Sequence, residues 1–274
     1  IIFDDLLSMK KNTTRTCFVI ISPQALNSLS KFQDILITLL QKSVLKMVVF
    51  DEIHLLLQHG FSFRQCIPQL KPFIQKLFPS QKTNLHPLLL AMTTTFDNSD
   101  LSLFHDLLGI EFQNEGIYWS KPEQCNRKEI LFHVSIRERI SPAVSLVLDT
   151  LSKYDQCKAI VYSNTKTNAI KLHSFFNNKN DLRKNHGDSL LVHGEIHRYE
   201  KFMFTKLFVG DLKCSHLHPK LLSATSAANC GIDIENIYTV VHNQLPPDIK
   251  TIIQEMGRAG RQKCPELNSI SYMT

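Results

Sequence analysis

Lys46-Met47-Val48-Val49-Phe50, followed at once by Asp51-Glu52-Ile53-His54, is the stretch on which the fold turns. Its apolar side chains stand on successive positions rather than alternate ones. That pattern predicts a strand covered on both faces, as in a parallel sheet. Runs of the same kind predict further strands over 17–21, 88–91, 129–134, 159–162, 190–192, 221–224 and 238–242, with another beginning at Ser269-Ile270-Ser271-Tyr272.

Helical patterns fill the spaces between these runs. Ser22-Pro23 and Ser141-Pro142 each place a hydroxyl at an N-cap and proline at the first helical position. Further helices are predicted over 62–78, 99–108, 166–176, 198–209 and 247–256. Strand alternating with helix means α/β architecture, with functional groups on the loops that follow strand carboxyl ends. The stretch 112–128 is polar, contains Gly116 and Pro122 and carries no periodic pattern, so it predicts a boundary between two domains, 1–116 and 117–274. The polar tract 177–188 predicts a solvated loop.

The bulk properties narrow the class. The 274 residues suffice for two modest domains. A hydrophobic fraction of 43% and a charged fraction of 20% are those of a soluble globular protein. No apolar run approaches the ~20 residues needed to cross a bilayer, and Asp4 and Asp5 interrupt the only N-terminal run that resembles a signal peptide. Lys plus Arg number 31 against 25 acidic residues, a mild positive excess compatible with a polyanionic partner. Seven cysteines without a C-x-x-C pair read as reduced thiols in an intracellular protein. The chain opens on Ile1 rather than methionine and reads as a piece of a longer polypeptide.

Several clusters carry chemistry. Asp51 and Glu52, at the carboxyl end of a strand, can hold magnesium and take a proton from water respectively, or form a solvated strand end. Thr93-Thr94-Thr95 follows another strand and can hydrogen-bond the acidic loop. In the second half, 224–233 is rich in small residues that permit close backbone approach to a polyanion. Gly231 falls in it, and Asp233 can bind a ribose hydroxyl. Then Gln254-Glu255-Met256-Gly257-Arg258-Ala259-Gly260-Arg261 offers two guanidiniums three positions apart, suited to the outer phosphates of a nucleotide held between the domains.

In order, Ile20–Leu26, DEIH at 51–54, TTT at 93–95, 159–163, His193-Gly194, 224–233 and QEMGRAGR at 254–261 resemble the motifs of superfamily 2 helicases. The QExGRAGR form, the ATxAxxxGID form and the run Gln58-x-Gly60-x-x-Phe63-Arg64 resemble the RecQ-type DNA helicases more narrowly. The resemblance implies two RecA-like parallel-sheet domains, the first incomplete at its N-terminus. It implies ATP and Mg2+ as cofactors, single-stranded and duplex DNA as partners, 3′-to-5′ movement coupled to ATP hydrolysis, no membrane, and a nuclear location in a eukaryote, in DNA recombination or repair.

By the same resemblance Asp51 coordinates magnesium, Glu52 is the catalytic base and His54 relays nucleotide state. Arg258 and Arg261 bind phosphate, with Gln254 in the coupling network. The loop bearing His59, Phe61, Phe63 and Arg64 would contact single-stranded DNA by stacking. Ser22, Ser163 and Thr225 would track phosphates, and Gly231 and Asp233 would lie on the nucleotide side. The chain departs from the family at His59, Asn229, Gln24 and Gln262-Lys263. None of its nine glycines is followed by lysine, so it holds no G-x-x-x-x-G-K-[ST] phosphate loop, and residues upstream of position 1 are expected to carry one. Two other readings stand beside this one: a relative that binds nucleic acid without hydrolysis, and an RNA helicase of the same superfamily.

Overall fold

A computed structural model describes residues 16–54, 66–79, 86–95, 97–110, 116–121, 127–134, 147–149, 151–152, 157–178, 188–228, 234, 236–261 and 269–273. The chain divides into two compact units, Ile1–Trp119 and Ser120–Thr274. Among the described residues no helix is long and apolar enough to cross a membrane.

In the first unit, helix α1 (Pro23–Ser28) begins as predicted, with the Ser22 hydroxyl accepting from the Ala25 amide at 3.2 Å. Helix α2 (Ser30–Gln41) is an addition to the predicted elements. Its buried Phe32, Ile35, Leu39 and Leu40 recur at helical spacing, but Leu29 supplies no side-chain cap to mark its start. Strand β1 (Met47–Phe50), helix α3 (Cys66–Leu77), strand β2 (Leu88–Ala91) and helix α4 (Asn98–Leu108) complete the unit. Pro72 lies within α3 without ending it. β1 and β2 pair in parallel, Met47 opposite Leu88 and Phe50 opposite Ala91.

Burial on both faces does not hold for this pair. Val48, Phe50, Leu89 and Ala91 pack toward a core that includes Ile53, Phe73, Ile74, Leu77 and Phe104, while Met47, Val49, Leu88 and Leu90 are exposed. Phe50 meets Phe104 edge to face, with ring centroids 6.4 Å apart. Nor do 17–21 form a strand. Phe18 and Ile20 are 87% and 98% exposed, and no described strand lies beside them to complete a hydrogen-bond ladder.

The second unit is a six-stranded, wholly parallel sheet. Its elements are β3 (Ile130–Val134), β4 (Lys158–Tyr162), α5 (Lys166–Asn178), β5 (Asp188–Val192), α6 (Arg198–Val209), β6 (Pro219–Ala224), β7 (Ile237–His242), α7 (Ile249–Met256) and β8 (Ser269–Met273). The strand order is β3-β8-β7-β4-β6-β5. Here two-faced burial holds. Ala159 and Val161 of β4 join Leu172 and Phe176 of α5 in one core, while Ile160 and Tyr162 join Phe208 of α6 in the other. β3 lies at the sheet edge and exposes Leu131, Phe132 and Val134. The predicted loop over 177–188 needs correcting at both ends. Asn177 is the penultimate residue of α5, and Asp188 is buried at the start of β5, where its carboxylate accepts from the His218 amide at 2.9 Å.

Candidate functional site

In the first unit the loops after β1 and β2 are stitched together. The Met92 amide donates to the Phe50 carbonyl at 2.8 Å and the Ile53 amide to the Met92 carbonyl at 3.1 Å. Ile53 is buried, so the apolar core anchors the middle of the acidic turn. Asp51 stays exposed, with one carboxylate oxygen accepting from the Glu52 amide at 3.0 Å. Glu52 adopts the left-handed conformation, φ 51°, which non-glycine residues enter at a cost of about 1 kcal/mol. His54 is buried, and its Nδ1 lies 2.8 Å from Thr93 Oγ1 and 3.3 Å from Glu52 Oε2. The expected contact between the threonine loop and the acidic loop therefore runs through the histidine. An exposed aspartate oxygen is hard-ligand chemistry suited to magnesium. Among the described residues no group of three or more His, Cys, Asp and Glu could hold a metal by itself.

In the second unit, Asp248 rather than Pro247 marks the start of α7. Its carboxylate accepts from the Thr251 amide at 2.8 Å and the Thr251 hydroxyl at 2.7 Å. The buried face of α7 carries Glu255, whose Oε2 lies 2.9 Å from His242 Nε2. Both side chains are almost wholly buried, and the His242 ring stacks on Tyr162 with centroids 5.7 Å apart. Burial pushes the Tyr162 hydroxyl above its ordinary pKa of 10, against the opposing pull of the Arg258 guanidinium. Arg258 is buried, Gln254 half-buried and Arg261 exposed.

The glycines between the arginines have separate reasons. A Cβ on Gly257 would stand 3.0 Å from the Ile253 carbonyl, and Gly260 is left-handed at φ 66°. The carbonyls of this turn are taken by Arg127, a residue that no motif picks out. Its Nη2 donates to Ala259 O at 2.9 Å and Gly260 O at 3.0 Å, and its Nη1 to Gly257 O at 3.4 Å. Its Nε donates to the Glu129 carboxylate, and that hydrogen bond holds Glu129 below the usual carboxylate range.

Ser163 and Thr225 come together with His193 because β4, β6 and β5 are neighbours and all run the same way. The Ser163 amide donates to Ala224 O at 2.8 Å and the Thr225 amide to Val192 O at 3.0 Å. The Ser163 hydroxyl is buried and has no hydrogen-bond partner in the structure. Thr225 Oγ1 accepts from the Ala227 amide at 3.4 Å, and His193 Nδ1 from the Glu195 amide at 3.2 Å. Ser22 belongs to the first unit and spends a lone pair on its helix cap. His59, Phe61, Phe63, Arg64, Gly231 and Asp233 lie outside the described residues. Sequence reasoning misses Arg127 and His242, which touch the arginine turn or its support only through the fold. It does not single out Tyr162 and Glu255, though each lies inside a quoted stretch, 159–163 and QEMGRAGR.

This arrangement of parallel strands is that of the RecA-like domains of helicases. The chain superposes on the DEAD-box helicase Mss116 bound to ssRNA and UDP-BeF with a TM-score of 0.62 at 21% identity, covering 93% of this chain and 51% of that one. It superposes on the Mycobacterium smegmatis helicase Lhr bound to ssDNA and AMP-PNP at 0.61 and 18%, covering 92% and 31%. In sequence, residues 142–263 match the helicase conserved C-terminal domain family. Over 254 residues the chain is 26% identical to the probable ATP-dependent DNA helicase RecS of Bacillus subtilis, covering 92% of this chain and 45% of the relative. It is 25% identical over 215 residues to the ATP-dependent RNA helicase DBP2 of Candida glabrata, covering 78% and 35%. The chain is thus similar both to an ATP-dependent DNA helicase and to an ATP-dependent RNA helicase, and it spans under half the length of these two.

Proposed function

We propose that this chain is part of the core of an ATP-dependent nucleic-acid helicase, of RecQ type and directed to DNA with 3′-to-5′ movement. Residues 1–116 would be the later part of a first RecA-like domain and 117–274 the second. The exposed carboxylate of Asp51 would hold magnesium, which when bound neutralises charge on the phosphate oxygens. Glu52 takes a proton from the water that attacks the terminal phosphorus of ATP; the bond from that phosphorus to the bridging oxygen breaks, and ADP leaves. Arg258 and Arg261 stabilise negative charge on the transferring group, and Gln254 helps report that state. Gly231 and Asp233 serve the nucleotide, while Ser22, His59, Phe61, Phe63, Arg64, Ser163 and Thr225 serve the nucleic-acid strand.

The observation that carries the reading is the join between the two loops, where the Ile53 amide donates to the Met92 carbonyl at 3.1 Å and His54 Nδ1 lies 2.8 Å from Thr93 Oγ1. Glu52, one residue before Ile53, is thereby set on a turn fastened to the loop after the neighbouring strand, an arrangement suited to coupling hydrolysis to movement. An RNA substrate is the second reading, favoured by the match to DBP2.

The test is ATP hydrolysis by the protein from the complete reading frame, stimulated by single-stranded DNA or by RNA. DNA-stimulated turnover reduced at least ~100-fold by Glu52→Gln is expected. Stimulation by RNA alone moves the assignment to the RNA helicases, and binding without any turnover makes the protein a non-hydrolysing relative. Residues 1–274 alone, lacking a glycine-lysine phosphate loop, are expected not to turn over ATP; Glu52-dependent hydrolysis by them would overturn that statement.

A further inference from the structure

The last carbonyls of α7 are met by the arginine turn itself, Ile253 O accepting from the Gly257 amide at 2.9 Å, Glu255 O from the Arg258 amide at 3.3 Å and Met256 O from the Ala259 amide at 3.0 Å. The carbonyls of the turn residues need partners from elsewhere in the fold. From β7, the Ile237 carbonyl accepts from the Gly260 amide at 3.0 Å. The carbonyls of Ala259 and Gly260 accept from a side chain about 130 residues earlier in the chain, and that of Gly257 accepts both from it and from Arg261 Nε, each at 3.4 Å. A guanidinium is a planar fork of five donors, able to span several carbonyls at once. Arg127 commits one donor at Nε, one at Nη1 and two at Nη2, four of the five, to Glu129 and the turn. So committed, it is poorly placed to bind phosphate itself. Glu129, two residues on, holds the fork from behind.

We infer that Arg127 is the positioning residue of the arginine turn, fixing the backbone of Gly257, Ala259 and Gly260 so that Arg258 and Arg261 keep one aim. The functional half of this inference rests on the helicase reading; the structural half does not. Lysine at this position would keep the charge and lose the fork, since a single ammonium cannot reach three carbonyls while engaging Glu129.

Two measurements separate the halves. In the 274-residue chain, Arg127→Lys is expected to speed amide hydrogen exchange at Ala259 and Gly260 by about tenfold, the loss of roughly one hydrogen bond. Exchange in the strands β4 and β6 should stay unchanged. Arg127→Ala should do the same, and where it fails to fold the lysine variant decides. Unchanged exchange at the turn overturns the inference. In the protein from the complete reading frame, Arg127→Lys should lower kcat for ATP hydrolysis about tenfold or more while KM for ATP moves less than about threefold, and it should add little to Arg258→Ala. Faster exchange with kcat intact, while Arg258→Ala lowers kcat, overturns the claim that the clamp aims the arginines. Hydrolysis indifferent to Arg258→Ala sinks the helicase reading and leaves the exchange result standing.

Discussion

Thr239, in the middle of β7, has no exposed surface, and its hydroxyl has no hydrogen-bond partner in the structure. Removing such a group from water costs free energy that no bond returns. Thr239→Val keeps the shape and discards the hydroxyl, so it should stabilise the second unit by about 1 kcal/mol. A higher urea midpoint with an unchanged slope would confirm it, and a lower midpoint would show that a partner exists. Tyr162 gives a pH signature with the opposite sense to a carboxylate. Its folded pKa is raised above the ordinary value of 10, so its neutral phenol contributes stability that is fully present below pH 10. That contribution is lost as pH climbs toward the folded value, at about 1.4 kcal/mol per unit. Tyr162→Phe should flatten the alkaline loss of stability in denaturant melts taken between pH 9 and about 11. Equal slopes in the two proteins would mean that the hydroxyl ionises as readily folded as unfolded.

At the scale of elements, α4 shows what local chemistry can specify alone. Asp97 accepts from the amides of Ser99 at 2.8 Å and Asp100 at 3.0 Å, and Asp100 returns the contact to the Asp97 amide at 2.9 Å. Gly109, left-handed at φ 71°, closes the other end. Asp97→Ala should therefore cost about 1–2 kcal/mol, read from thermal melts, with Asp97→Asn retaining most of the stability. Elements with such punctuation are legible in the amino-acid sequence. Helix α6 has its predicted limits, between His197 and the left-handed Gly210. Elements without it are not. α2 starts at a leucine that makes no cap, and its apolar stripe has no boundary signal beside it. The run over 17–21 reads as a strand by composition, yet a strand exists only where a neighbour supplies the ladder. The same division holds for the candidate site. Stretches contiguous in the chain, such as DEIH and QEMGRAGR, stand out in the sequence by their resemblance to helicase motifs. Arg127 and His242 act on them from distant positions, and no local pattern announces a contact that folding creates.

For the molecule as a whole, the two units differ in what they can support. The second has a six-stranded sheet with a core on each face, whereas the described sheet of the first has two strands and leaves Met47, Val49, Leu88 and Leu90 exposed. Two-stranded sheets are marginal, and apolar faces left in water invite association. Residues 120–274 expressed alone should unfold in one cooperative thermal transition, and residues 1–119 alone should melt without a sharp midpoint or aggregate; circular dichroism with light scattering would decide. A cooperative, monomeric 1–119 would show that its sheet is better supported than its described strands suggest.

The stitching of Phe50, Ile53 and Met92 has a mechanical corollary. Because backbone hydrogen bonds continue the β1–β2 ladder into both loops, the loops are fastened to each other rather than free as two independent arms. Displacing one should therefore drag the other, and substitutions that loosen this joint should blunt transmission between remote events while leaving each event intact by itself.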